Sequence, residues 1–565
     1  MQLREYDVVC IGGGGAGVSA AVRAGQLGAR VALISKDPIG YGCTRLAAGN
    51  MACTGVAAAD SVERFVDDIL SGGDDINNRR LAEVVAAEAP SAAALMESFG
   101  YIFRRDPKGR VSEDTARRAG GHTIRRTIGR FAGGVSLGQV LRAASARSHV
   151  AVYEDMIASR LLIRNGRVEG VVGLHLTDGE VFSFSSKSVI LATGGAGWLY
   201  YPHTDCPKAC TGDGFALALR AGAELVDMEQ VQFLPFALNH PRSMIGQPVG
   251  EPSSAGRYGQ LLNNKGEVVL EGMNRMTRAQ VANVIGLEVK KGNGTKYGGL
   301  LLDLAPNIAK SGQSAWDTVY SGLPFGAIRV AYGEKAFRWE EPWDVTPSAH
   351  FTMGGVRIDE YGRTSLEGLY AAGEVAGGLH GGNRLGSVAL TEIFIFGERA
   401  GEQAAKDATK RKQPAFDGSH LDEEKRLTAL FGATGRHHPT RLMRRLQRAM
   451  WDKVGVVRDK QGLLEGLEEI ETIARLSEDL ATPENRQYNL AVADAVELQL
   501  MLDVARATTL AAQERRESRG AHVRSDFPDR NDEAWRQNIV TVYREGRIES
   551  RVVPIGRDVS GFGNG

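Results

Sequence analysis

The order of apolar and polar positions predicts most of the elements before any motif is considered. In YDVVCIGGGGAGVSAAVRAGQLGARVALISK an apolar run, Tyr6–Ile11, breaks at glycines, helical spacing follows over residues 16–27, and a second run covers Val31–Ser35. That order predicts strand, turn, helix, strand: a βαβ unit. Between Ser61 and Phe99 the apolar residues recur at helical spacing, and the polar, basic HTIRRT (His122–Thr127) precedes another helix. From Val150 to Phe184 short alternating runs predict an antiparallel meander, closed by the buried strand of SVILATGG. Residues 236–344 lose this alternation and scatter Gly and Pro, as an inserted domain would; near Gly354 it returns, with GLYAAGEV as another buried strand. Beyond Leu421 helices are expected, with Leu463, Leu467, Ile470 and Ala474 on one face and Val496, Leu500 and Val504 on another. The final SGFGNG should be loose.

Composition narrows the class. A chain of 565 residues exceeds the roughly 250–300 that one core can organise, so two or three domains are expected. The 68 basic residues balance 68 acidic ones, which argues against nucleic acid or an anionic membrane as partner. No apolar stretch approaches the about 18 residues of a membrane span, and MQLREYDVVC lacks a signal peptide's apolar core, so a cytoplasmic location is expected. The five cysteines are too few and scattered for a disulfide framework. CPKAC (Cys206–Cys210) matches neither a CxxC redox motif nor a haem site, and no metal site is expected.

Glycine is the informative excess, 70 residues in short strings. Gly12-x-Gly14-x-x-Gly17 follows a strand and opens a helix, the setting in which glycines let a pyrophosphate approach backbone. At the end of the second strand Ser35-Lys36 replaces the acid expected for NAD. LATGG (Leu191–Gly195) and YAAGE (Tyr370–Glu374) are further strands ending in glycine, and Glu374 could accept hydrogen bonds from a sugar-like chain. In this order they suit a long dinucleotide such as FAD.

The chain resembles the flavoprotein subunits of the succinate dehydrogenase and fumarate reductase superfamily, which includes L-aspartate oxidase. The resemblance runs nearly end to end, through IGGGGAGVSAA, SGGDDINN, GGHTIRRT, ILATGGAG, HFTMGGVRID, GLYAAGEVAGGLHGGNRLGSVAL and ESRGAHVR. It implies an α/β fold: a Rossmann-like FAD-binding domain (1–235 and 345–415), interrupted by an α+β capping domain (236–344), then a helical domain (421–515) and a C-terminal extension (516–565). FAD would be held by Gly12, Gly14, Gly15, Ala16, Gly17, Ser35, Lys36, Thr44 and Gly49. Further contacts would come from Ala192, Thr193, Gly194, Asp213, Glu374, Arg384, Ser387, Ala389 and Leu390. Relatives that attach FAD covalently carry a histidine where this chain has Gly42-Cys43-Thr44, so non-covalent FAD is expected.

The same resemblance assigns a substrate site. His350 and Arg384 match residues that clamp a carboxylate, and Arg384 offers a planar fork for it. Where fumarate reductases read Gln-Tyr-His-Pro-Thr this chain reads Gln232-Phe233-Leu234-Pro235-Phe236, so Leu234 and Phe236 are expected to form an apolar wall hostile to a second carboxylate. Proton transfer is expected from Arg257 or Tyr258, in SSAGRYGQLLNN. The implied reaction is hydride transfer between flavin and a carbon–carbon bond α,β to a carboxylate or acyl group, on a substrate less polar than fumarate. Two alternatives stay open: an electron-transfer or oxidase subunit served by an iron–sulfur or quinone-linked partner, and a non-catalytic FAD-bearing subunit.

Overall fold

The computed structural model describes residues 1–129, 133–313 and 326–556; the terminal SGFGNG lies outside them. The strand Gln2–Ile11 is central to a seven-stranded sheet, parallel to Val31–Ile34 on one side and to Val181–Leu191 on the other. Its four C-terminal residues, Val8–Ile11, are buried, as a strand covered on both faces requires. Beyond Val31–Ile34 lies Val150–Tyr153; the meander Met156–Arg164 and Arg167–His175 leaves the other side of the sheet. The last three residues of Val181–Leu191 receive Leu369–Ala371 in parallel. Fingerprint, LATGG and YAAGE therefore leave the sheet side by side at the carboxyl ends of parallel strands, where open α/β sheets bind ligands.

A six-stranded antiparallel sheet forms the cap, in the order Pro248–Gly250, Val231–Leu238, Trp343–Thr352, Leu300–Asp303, Gln260–Leu262, Val268–Glu271. The cap boundaries expected at 235/236 and 344/345 fall inside Val231–Leu238 and Trp343–Thr352. These two strands carry site residues, and their pairing slips twice. Gln232 faces Phe351 while Phe233 faces Ala349, which leaves His350 as the extra residue of a bulge; a second slip falls between Leu234 and Ala237, at Pro235. A bulge re-aims side chains by one face.

Among the described residues, the helices Pro439–Val454, Lys460–Leu476 and Leu490–Glu514 pack against one another. The stretch beyond them is built into the body: Asn538–Arg544 and Arg547–Val553 form a hairpin whose first strand pairs with Leu225–Val226. Buried Arg515 anchors it, with Nε 2.7 Å from Glu229 and Nη2 3.3 Å from Asp227. No helix among the described residues is long and apolar enough to cross a membrane.

His203 joins the helical region to the loop carrying CPKAC, its ring stacked on Trp451 with centroids 4.0 Å apart. Burial pushes this imidazole down to about 4. The unfolded chain therefore takes up a proton that the folded chain refuses, and stability falls as pH drops from about 6.5 toward 4. His203→Phe, which keeps the stacking, should be less acid-sensitive than the parent by about 2 kcal/mol at pH 5 relative to pH 7. Urea unfolding of both proteins at the two pH values checks this.

Candidate active site

The dinucleotide cradle begins where Gly12 takes φ 124° and the helix Gly15–Gln26 opens from Gly14. A methyl group on Gly12 would stand 2.0 Å from the Ala192 carbonyl oxygen, and one on Gly17 would stand 1.8 Å from the Gly12 oxygen. Strand, helix and LATGG thus meet only because side chains are missing. Gly14 has no side chain with which to cap the first helix, and Thr44 Oγ1 accepts from the Gly15 N–H at 3.2 Å instead. Thr193 Oγ1 is buried without a hydrogen-bond partner among the described residues, and Gly194 is left-handed. Gly49 is left-handed as well, its carbonyl bonded to the Tyr101 hydroxyl. Ser387, at φ 68°, stands at the start of the helix Val388–Thr409 without a side-chain capping bond, which leaves Ala389 and Leu390 in a first turn whose N–H groups have no helical acceptor.

Ser35 and Lys36 follow the second strand. Ser35 Oγ lies against Gly13, and Lys36 reaches Asp213 at 2.8 Å and Glu497 at 2.9 Å. Burial lowers the lysine, but Asp213 and Glu497 overcome this and keep it a cation. Asp213 also accepts from Thr211 at 2.6 Å, so Lys36 and Asp213 serve the cradle as a paired support. Glu374 is buried, with Oε1 accepting from the Thr352 N–H at 2.9 Å; burial raises its carboxyl well above the usual range. Open helical N–H groups, an orphaned threonine hydroxyl and glycines in close approach fit FAD.

A charged group gathers on the cap strands and the segments beside them. His350 Nδ1 lies 2.8 Å from Asp205, and its Nε2 lies 2.6 Å from an Arg384 nitrogen. A guanidinium only donates, so Nε2 accepts and Nδ1–H donates to Asp205. Burial depresses this imidazole; Asp205 opposes that, and Arg278 and Arg384 add to it, so the ring is neutral. Arg384 Nε is buried with no partner among the described residues. Glu251 takes a bidentate grip from Arg278, whose Nη1 also donates to Gln232 at 3.0 Å. Gln232 in turn donates to Asn383 and to the Arg384 carbonyl, both at 2.9 Å. Burial raises Glu251, yet Arg278 first, then Arg384, hold its carboxyl below its ordinary value.

The structure sets His350 and Arg384 in contact, and it places three other expected site residues differently. Phe236 is fully buried in the cap's own core with Leu238, Val249 and Ala255 because the slip at Pro235 turns it off the site face. Arg257 is exposed and stacks on Tyr258, which also lies under Lys310 and is tied by its backbone to Asn307. Neither Arg257 nor Tyr258 bonds to the His350–Arg384 group. Leu234 is buried outside the apolar cores, two residues from Gln232 on the same strand. Sequence reasoning missed Arg278 and Glu251. Arg278 is the first residue of the helix Arg278–Lys290, behind a Thr277–Gln280 capping box. A cation at a helix N-terminus opposes the dipole, which was the available signal.

A family model described as "FAD binding domain" matches residues 7–390, and one described as "Fumarate reductase flavoprotein C-term" matches 443–557. The chain is 36% identical to one of the subunits of the fumarate reductase (CoM/CoB) of Methanothermobacter marburgensis, over 95% of this chain and 97% of that one. It is 33% identical to a fumarate reductase flavoprotein subunit of Mycobacterium tuberculosis, over 97% and 96%. Among solved structures, E. coli quinol fumarate reductase FrdA superposes with a TM-score of 0.87 at 28% identity, covering 99% of this chain and 98% of that one. Sdh1 of Mycobacterium smegmatis in complex with UQ1 gives 0.85 at 30%, covering 99% and 95%. The chain belongs to the family of fumarate reductase and succinate dehydrogenase flavoprotein subunits, and is an FAD-dependent oxidoreductase.

Proposed function

We propose that the chain interconverts saturated and α,β-unsaturated forms of an acid bearing one carboxylate, in the cytoplasm, with electrons exchanged through an iron–sulfur or other electron-transfer protein. The observation that carries this reading is the buried, unpartnered Arg384 Nε beside His350, Arg278 and Glu251. Bound non-covalently by the glycine cradle, FAD would supply the two-electron chemistry. Arg384 and His350 would hold the substrate carboxylate, and charge developing next to it in the transition state would be met by a guanidinium already in place. Arg278, rather than Arg257 or Tyr258, would deliver the proton to the α-carbon and be recharged through Glu251, its bidentate partner.

Two features favour a substrate less polar than fumarate. Glu251 already matches Arg278, which leaves Arg384 for one carboxylate, so a second would add uncompensated charge. Leu234 contributes an apolar surface beside Gln232. Leu234→His is expected to raise kcat/KM for fumarate about tenfold relative to a monocarboxylate, a shift of about 1.4 kcal/mol. The reading itself is tested by anaerobic stopped-flow mixing of the yellow protein with saturated acids, and of the reduced protein with unsaturated ones. Bleaching or reoxidation by monocarboxylates supports it; response to dicarboxylates alone overturns the substrate assignment.

A further inference from the structure

Cys43 meets Cys206 and Cys210, more than 160 residues further along the chain, beside the flavin cradle. The Sγ atoms of Cys43, Cys206 and Cys210 lie within 4.8 Å of one another, with Cys43 and Cys210 3.3 Å apart. Cys206 and Cys210 are 6% and 4% exposed. Cys43 precedes Thr44, and a methyl group on Gly194 would come within 4.0 Å of Cys210 Sγ, so the cluster adjoins two cradle residues. On its other side Cys206 Sγ lies 3.4 Å from the His350 carbonyl oxygen and 3.8 Å from Asp205 Oδ1. The remaining Asp205 oxygen, Oδ2, is the one that holds the His350 ring.

We propose that Cys43, Cys206 and Cys210 bind one soft divalent cation of the zinc class, with Asp205 Oδ1 as an oxygen donor for the fourth position. Zinc takes sulfur at about 2.3 Å, which spaces thiolates by about 3.8–4.0 Å in tetrahedral or trigonal geometry. The three sulfurs need move by less than about an ångström to reach that spacing. Charge argues the same way. Asp37, Asp205 and Glu374 border the cluster, while Lys36, the neighbouring cation, is already shared by Asp213 and Glu497. A cation would displace the protons of the thiols that carry them, and three thiolates would offset its charge. Through Asp205 the same cation would fix the ring orientation of His350, as outer carboxylates do at metal sites.

The test is elemental analysis of the flavin-loaded protein purified without chelators, with iodoacetamide labelling counted by intact mass. The expected result is one zinc per chain, three thiols that become alkylated only after chelator treatment, and zinc lost in Cys206→Ser and Cys43→Ser. Wild-type protein stripped of metal should take up one equivalent of added Zn2+. The proposal is overturned if wild-type protein holds no zinc and rebinds none, whether the sulfurs prove to be free thiols, a Cys43–Cys210 disulfide or a Cys43–flavin thioether. Wild-type zinc content decides the matter even if a serine variant does not fold, and it does not depend on the identity of the substrate.

Discussion

Replacing Arg278 with Gln is expected to lower kcat by about three orders of magnitude while KM for the acid changes less than tenfold, because a positioned proton donor contributes about 10²–10⁴. The side chain is fastened at both ends of its fork, to Glu251 and to Gln232, and Gln232 is tied to the Arg384 backbone. Donor and carboxylate clamp are therefore held as one rigid piece, and a Lys at 278 would restore the charge without the bidentate geometry. Arg257→Gln, on an exposed side chain, should leave both constants within about twofold. Steady-state assays with a reduced dye as electron donor read all three variants. A full-strength Arg278→Gln enzyme, or a dead Arg257→Gln one, would return proton transfer to the SSAGRYGQ loop.

The second large effect is expected at Gly17. An alanine there would press its methyl group to 1.8 Å from the Gly12 oxygen and 3.3 Å from the Ala192 side chain. Both Gly12 and Ala192 are backbone neighbours in the sheet, where Ala192 N–H donates to the Ile11 carbonyl at 2.8 Å, so neither can move without breaking the ladder. Overpacking against fixed backbone costs about 1–3 kcal/mol and more when nothing yields. Gly17→Ala protein should be purified with less than a tenth of the parent's flavin, and its thermal midpoint should fall. The ratio of flavin to protein absorbance and a melting curve measure both. Acid precipitation of the parent should leave the yellow colour in the supernatant, as non-covalent binding requires.

The cradle is legible in the sequence because its logic is local. Strand, glycines and helix follow one another within residues 6–27, and the structure returns them with the helix at Gly15–Gln26. Lys36 and Asp213 illustrate the limit: the resemblance assigns both to the cradle, yet their partners are each other and Glu497, which lies more than 280 residues beyond Asp213. The expectation for Phe236 fails for a related reason. Alternation along Val231–Leu238 would keep it on Leu234's side, but one extra residue in the ladder reverses the face, and no composition signal marks which strand will slip.

The amino-acid order by itself determined the α/β class, the family resemblance and the glycine cradle, since each rests on short-range periodicity or on a long shared string. Only the tertiary structure brings Arg278 and Glu251 beside the His350–Arg384 pair, sets Arg257 and Tyr258 against Lys310 and Asn307, and joins Cys43 to Cys206 and Cys210. Those outcomes depend on how two sheets are set against each other and where a ladder bulges. Contacts of that kind bring together residues tens to hundreds of positions apart, and local pattern carries no record of them.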